Sequence, residues 1–140
     1  MFEDLVAIQQ TLNRYAVGAS RSDWASVLAT FARDGVWEAP ALGISCCGHE
    51  AIRASISVFV DQMDYFVQIA APAQITLEGG TARASSALRE YGRFSRSGEA
   101  VEVFGLYDDR LVKTALGWQF SRRTFTLLGM NGSAPEMEAR

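Results

Sequence analysis

The stretch 98–128, GEAVEVFGLYDDRLVKTALGWQFSRRTFTLL, decides the fold. It reads as two long strands joined by a tight turn. Between positions 101 and 112, Val101, Val103, Gly105, Tyr107 and Asp109 share one strand face, and Glu102, Phe104, Leu106 and Asp108 share the other. Ala115-Leu116-Gly117 is a short reversal, with glycine where positive φ is wanted. From Trp118 and Phe120 through Thr124 to Leu128 an aromatic and β-branched run resumes. A two-stranded ribbon does not stand alone in water, so further strands and a covering layer must come from the rest of the chain.

The upstream chain supplies both. Leu5, Ile8, Leu12 and Tyr15 give residues 3–17 a helical apolar stripe, which Gly18 and Ser20 should interrupt. Ser22 or Asp23 can cap a second helix carrying Trp24, Val27, Leu28 and Phe31, with Asp34-Gly35 as its stop. Residues 36–40 predict a short strand with Trp37 and Ala39 on one face, and 41–48 a loop. A third helix over 49–61 turns Ile52, Ile56, Phe59 and Val60 inward. Residues 65–69 and 74–78 read as one strand broken at Ala71-Pro72, because proline cannot donate to a ladder. Gly79-Gly80 is a hairpin turn, 81–93 the next strand and 95–99 a loop. The last residues, 129–140, read as a flexible tail after a single domain over 1–128. The order predicts an α+β fold: three N-terminal helices on a curved, mostly antiparallel sheet. Such a sheet leaves a cone whose open end is a natural pocket.

Composition narrows the function. With 140 residues, 49% hydrophobic and 21% charged, the chain can bury a real core. A net charge of −3, a single lysine (Lys113) and scattered arginines argue against a nucleic-acid surface. No apolar run reaches membrane-helix length, and the acidic start lacks the basic region of a signal peptide, so no membrane partner and a cytoplasmic location are expected. Cys46 and Cys47 are adjacent, close no useful loop, and have no histidine cluster to complete a metal site. They read as two reduced thiols, and neither metal nor cofactor is implied.

Several short motifs together resemble the SnoaL-like branch of the nuclear-transport-factor-2-like superfamily. They are Arg14-Tyr15-Ala16, Ser22-Asp23-Trp24, the run from Phe31 to Trp37, and Gly48-His49-Glu50-Ala51-Ile52. Gly80-Thr81-Ala82-Arg83-Ala84, Tyr107-Asp108-Asp109-Arg110-Leu111, and Gly117-Trp118-Gln119-Phe120 followed by Arg123 complete the set. The resemblance implies a cone fold shared with ketosteroid isomerase, scytalone dehydratase, polyketide cyclases and the small subunits of ring-hydroxylating dioxygenases. It does not carry over their catalytic groups. The isomerase-like aspartate falls at Ala39, before Pro40; the dehydratase-like Asp/His pair falls at Ser20 and Tyr65, and a second histidine at Gly92.

Phasing strand 81–93 from the resemblance sends Ala82, Ala84, Ser86, Leu88 and Glu90 inward; a one-residue slip would send Arg83, Ala87, Arg89 and Tyr91 instead. On the first phasing Glu90 is a carboxylate in an apolar cavity, its pKa raised by desolvation into the range of a working base. The alternative is a solvated Glu90 paired with Arg89, Arg93 or Arg122. Tyr65, Tyr15 and Tyr107 could offer phenol donors to a substrate oxygen. Trp37, Phe59, Met63, Leu88 and Phe125, with Ser86 beside them, would form the walls. The expected catalytic set is therefore Glu90, Tyr65 and Tyr15, and the substrate-binding set Trp37, Phe59, Met63, Ser86, Leu88, Tyr107 and Phe125. His49 reads as an exposed first-turn residue, Asp23 as a cap, and Asp108-Asp109-Arg110 as local surface pairing.

Three functions follow. The first is a cofactor-independent enzyme of cyclase, dehydratase or isomerase type acting on a hydrophobic oxygenated metabolite. The second is a binding protein with the same pocket and no chemistry, and the third a small partner subunit of a dioxygenase. A homodimer is expected in each, because Phe104 and Leu106 leave the outer sheet face in need of cover.

Overall fold

The computed structural model of the protein describes residues 1–132. The elements are α1 (Phe2–Ser20), α2 (Trp24–Ala29), β1 (Phe31–Ala39), a 3-10 turn (Pro40–Leu42), β2 (Ile44–Cys47), α3 (His49–Val60), β3 (Met63–Ala70), β4 (Gln74–Glu78), β5 (Thr81–Phe94), β6 (Ala100–Thr114) and β7 (Gly117–Gly132). The sheet runs β2-β1-β7-β6-β5-β3, and β4 pairs with β5 beside β3. All pairings are antiparallel except β1 with β7. This is the expected α+β cone, with three helices on a curved sheet.

Helix α1 packs through Ile8, Leu12, Tyr15, Ala16 and Ala19. It runs through Gly18 to Ser20, where the sequence predicts an interruption, because the glycine is a close-approach site: a Cβ there would lie 3.0 Å from Val27 Cγ2 of α2. At its start, Asp4 Oδ1 accepts from Trp118 Nε1 and Lys113 Nζ, each at 2.9 Å, and Thr11 Oγ1 donates to the Trp118 carbonyl at 2.8 Å. These bonds pin the helix to the β6–β7 hairpin. Asp23 caps α2 by accepting from the Ser26 amide.

Three boundaries differ from the sequence expectation. Phe31, Asp34 and Gly35 belong to β1 and not to the end of α2; the pairing with β7 shifts register between Phe31 and Val36, and this irregularity absorbs the polar pair. Residues 44–47 are a strand, not a loop, with Cys46 opposite Trp37 on the sheet edge; after Gly43, at φ +70°, four residues suffice to pair. Positions 129–132 continue β7 and are not tail: Gly129 to Gly132 pair with Phe104 to Val101. Residues 133–140 lie outside the described part.

The break at 71–73 is as expected, with β3 and β4 meeting successive halves of β5. The core lies between the helices and the concave face, where Phe31, Ile52, Leu111 and Phe120 are fully buried. No helix among the described residues is long and apolar enough to cross a membrane.

Candidate functional site

Between α1, α3 and the concave sheet lies a cavity of about 270 Å³. Trp37, Phe59, Phe66 and Phe125 give it aromatic walls; Ile44, Ile56, Val60, Val103, Leu127 and Met130 give aliphatic ones. Trp37 and Phe125 are near-parallel, 14° apart with centroids at 6.3 Å. The polar atoms come mainly from Tyr15, Tyr107, Gln68 and Glu90.

Glu90 reaches this space because β5 alternates strictly, burying Ala82, Ala84, Ser86 and Leu88 and exposing the residues between them. Of the two phases open at the level of sequence, this is the one the family resemblance implies. Gln68 is the direct cross-strand partner of Glu90 on β3, and its Nε2 donates to Glu90 Oε2 at 2.8 Å. Gln68 is itself held at its backbone: its amide donates to Ser20 Oγ at 2.9 Å, and that hydroxyl donates to the Ala16 carbonyl. Burial in apolar surroundings pushes the Glu90 carboxyl up to about 7, against the Gln68 hydrogen bond and the positive charge of Arg123. The group is thus poised between proton donor and acceptor near neutrality.

The second polar feature is a phenol pair. The hydroxyls of Tyr15 and Tyr107 are 3.1 Å apart, and Trp37 Nε1 donates to the Tyr107 oxygen over a long 3.4 Å. One phenol proton is used inside the pair, which leaves one hydroxyl free to donate to a ligand oxygen. Beneath the pair lies Arg123, only 1% exposed. Its guanidinium carbon sits 3.6 Å from the Tyr107 ring centroid and 4.3 Å from those of Tyr15 and Phe120. Arg123 Nε donates to Asp109 Oδ1 at 3.0 Å. Burial pushes the Asp109 carboxyl up to about 6, with Arg123 opposing. Burial likewise raises both phenols, and the charge of Arg123 pulls each of them down.

Six of the ten expected site residues line the cavity: Glu90, Tyr15, Tyr107, Trp37, Phe59 and Phe125. Tyr65 does not. It is 46% exposed on the outer sheet face, stacked on Tyr91 with Arg93 over its ring, because after the register slip at Asp64 the positions 65, 67 and 69 of β3 point outward. Met63 packs on the backbone of Gly92, and Ser86 and Leu88 are buried in the sheet face without lining the cavity. Asp109 is not surface pairing but the buried partner of Arg123. His49, half-buried, bonds the Phe31 carbonyl at 3.0 Å and ties α3 to β1. Gln68, Arg123 and Met130 are site residues that the sequence reading does not single out. Among the described residues no three His, Cys, Asp or Glu side chains are grouped as metal ligands.

A bent sheet closed by three helices over an apolar cavity is the nuclear-transport-factor-2-like fold. Within it the chain belongs to the SnoaL-like domain family, which matches residues 1–124. A solved structure from Novosphingobium aromaticivorans, provisionally described as an aromatic ring hydroxylase, is 28% identical over 95% of each chain, with a TM-score of 0.86. Another from that organism, provisionally described as a scytalone dehydratase, superimposes with a TM-score of 0.87 at 17% identity, covering 97% of this chain and 91% of its own. A nuclear-transport-factor-2-like protein of Salmonella enterica serovar Typhimurium gives 0.82 at 15% identity, over 91% and 92%. The last two are likenesses of fold. No curated protein matches the chain.

Proposed function

We propose that the protein is a cofactor-independent enzyme that moves a proton on a hydrophobic, oxygenated small molecule, in an isomerisation, elimination or cyclisation. The observation that carries this reading is Glu90, a single hydrogen-bonded carboxylate in an otherwise apolar cavity, facing a space shared with the phenol pair. Its carboxylate takes a proton from a carbon next to a carbonyl. The C–H pair becomes the carbon–carbon double bond of an enolate, and the carbonyl π pair moves onto oxygen, which accepts from the free phenol hydroxyl. Glu90 then returns the proton to a different carbon, or the enolate collapses to a double bond as a group on the neighbouring carbon leaves with its bonding pair and takes the proton from Glu90. Tyr15 and Tyr107 hold the oxygen, Gln68 holds Glu90, and the aromatic walls exclude water.

The test works whichever product forms. A panel of apolar ketones in D2O is incubated with the protein, and deuterium uptake next to the carbonyl is read by mass spectrometry. Uptake that Glu90→Gln lowers by about a thousandfold supports the proposal. Equal uptake by the variant removes Glu90 from the mechanism. Ketone retained with no uptake points to a binding protein.

A second reading is a partner subunit of a larger oxygenase. It is favoured by the likeness to the chain described as a ring hydroxylase and by the exposed outer row of Tyr65, Val67, Ile69, Phe104 and Leu106. The same row supports a homodimer. Sedimentation of the pure protein separates these: a dimer that Ile69→Glu dissociates favours self-association, and a chain recovered only with a larger protein favours the subunit.

A further inference from the structure

The Asp109–Arg123 pair is costly for a merely structural feature. Both side chains are removed from water, with Arg123 1% and Asp109 3% exposed, yet Arg123 Nη1 and Asp109 Oδ2 find no hydrogen-bond partner. A buried pair of this kind contributes little net stability, and well-packed apolar replacements are often as stable or more so. What the pair does accomplish is to place a permanent cation over two phenol rings that meet edge to face. The guanidinium is 3.6 Å from the Tyr107 ring centroid and 4.3 Å from that of Tyr15, and both tyrosines line the cavity. Asp109 holds it from the side, across the β6–β7 register.

We propose that Arg123 is a positioning residue that turns the phenol-lined floor of the cavity into an oxyanion site, so that the pocket selects apolar ring compounds bearing a phenol or an enolisable carbonyl. This deepens the proton-transfer reading and rests on the same cavity. The charged and titratable groups around the phenols are Glu90 on β5, Asp109 on β6 and Arg123 on β7; Gln68, Ser86 and Trp37 are polar but neutral. Arg123 makes no ion pair with Glu90, whose polar partner is Gln68. When a proton passes from ligand to Glu90, negative charge leaves the carboxylate and gathers on the oxygen at the phenols, where the guanidinium is stacked. The two aspects of the site are therefore complementary, the carboxylate accepting the proton and the backed phenols accepting the charge. An ordinary apolar pocket would instead favour the neutral form of the same ligand.

The test measures an equilibrium and requires no turnover. In Glu90→Gln protein, which lacks the competing carboxylate, 2-naphthol is bound and its ionisation followed by absorbance, with naphthalene as the neutral control. Bound naphthol is expected to ionise at lower pH than free naphthol. Adding Asp109→Asn, which leaves the cation unneutralised, should lower that pH further. Removing both charges together, by Arg123→Met with Asp109→Asn, leaves no unpaired buried charge. It should raise the ionisation pH by about one unit or more, with naphthalene affinity within about twofold. Failure of naphthol to bind, its ionisation at or above the pH of free naphthol, or an unchanged pH in the double-charge variant overturns the inference. A protein that selects naphtholate but exchanges no deuterium keeps this inference and loses the enzymatic one; exchange without anion selection does the reverse.

Discussion

Gln68 and Glu90 stand directly opposite one another on β3 and β5, and the carboxamide of the first donates to one carboxylate oxygen of the second at 2.8 Å. The pairing fixes which oxygen is occupied and leaves the other for the cavity. It also opposes desolvation, since a hydrogen bond to the charged form favours that form. Gln68→Leu should therefore raise the Glu90 carboxyl further above its present value of about 7. The acid limb of the pH–rate profile for deuterium exchange should move to higher pH by about one unit. A limb that stays in place would show that Gln68 does not set the protonation of Glu90.

The raised carboxyls have a consequence for stability, and its sign is definite. Glu90 keeps its proton to about pH 7 when folded, against 4.5 as its ordinary value; Asp109 keeps its own to about 6, against 3.8. Between these limits the folded chain binds more protons than the unfolded one, so stability falls as pH rises from about 4 to 7. Glu90→Gln lacks the larger share of this loss. Urea unfolding should find the variant more stable than the parent by on the order of 2 kcal/mol at pH 8, and equal to it at pH 4. A gap that does not change with pH would mean that Glu90 is not desolvated.

The fold was legible because its signals are local: the stripe of α1 and the glycine turns, whereas the phase of Glu90 on β5 came from the family resemblance and not from the strand's own residues. The site was legible in part, and its gaps trace to broken alternation in β7. Trp118 and Phe120 point inward, but the register shifts between Arg110 and Leu111, where Ser121 is the extra residue, and thereafter Arg123, Phe125 and Leu127 take the inner face. Without that bulge Arg122 would have been the buried arginine. A second shift, with Leu128 as the extra residue, returns the inner face to Met130. The first bulge has no glycine or proline to announce it; the second has Gly129 beside it and Gly105 across from it, but neither tells on which residue the strand slips. Tyr65 misled for the same kind of reason, since pairing of β3 with β5 slips between Met63 and Tyr65.

Met130 tests whether the end of β7 belongs to the site. Its side chain borders the cavity from a segment whose composition, GMNG, suggests no strand. Met130→Ala should weaken binding of naphthalene several-fold through lost contact, while costing less than about 2 kcal/mol in stability, because the residue is only half-buried. Unchanged affinity, by fluorescence titration, would place residue 130 outside the binding region.

Gly105 probes the wall from behind. A Cβ added there would lie 2.4 Å from Phe125 Cε1 and 2.9 Å from the Thr126 carbonyl oxygen. The ring can give way, but only toward Trp37, on which it is stacked, or toward Tyr107, which it meets edge-on at 5.6 Å. The backbone carbonyl cannot move without loosening the β6–β7 ladder. Gly105→Ala should therefore destabilise the protein by about 1–3 kcal/mol by urea unfolding. It should also lower naphthalene affinity by displacing Phe125 into the cavity. Gly129, where an added Cβ would meet nothing within 4 Å, supplies the control on the same pair of strands. If the two alanine variants behave alike, packing behind Phe125 does not shape the cavity wall.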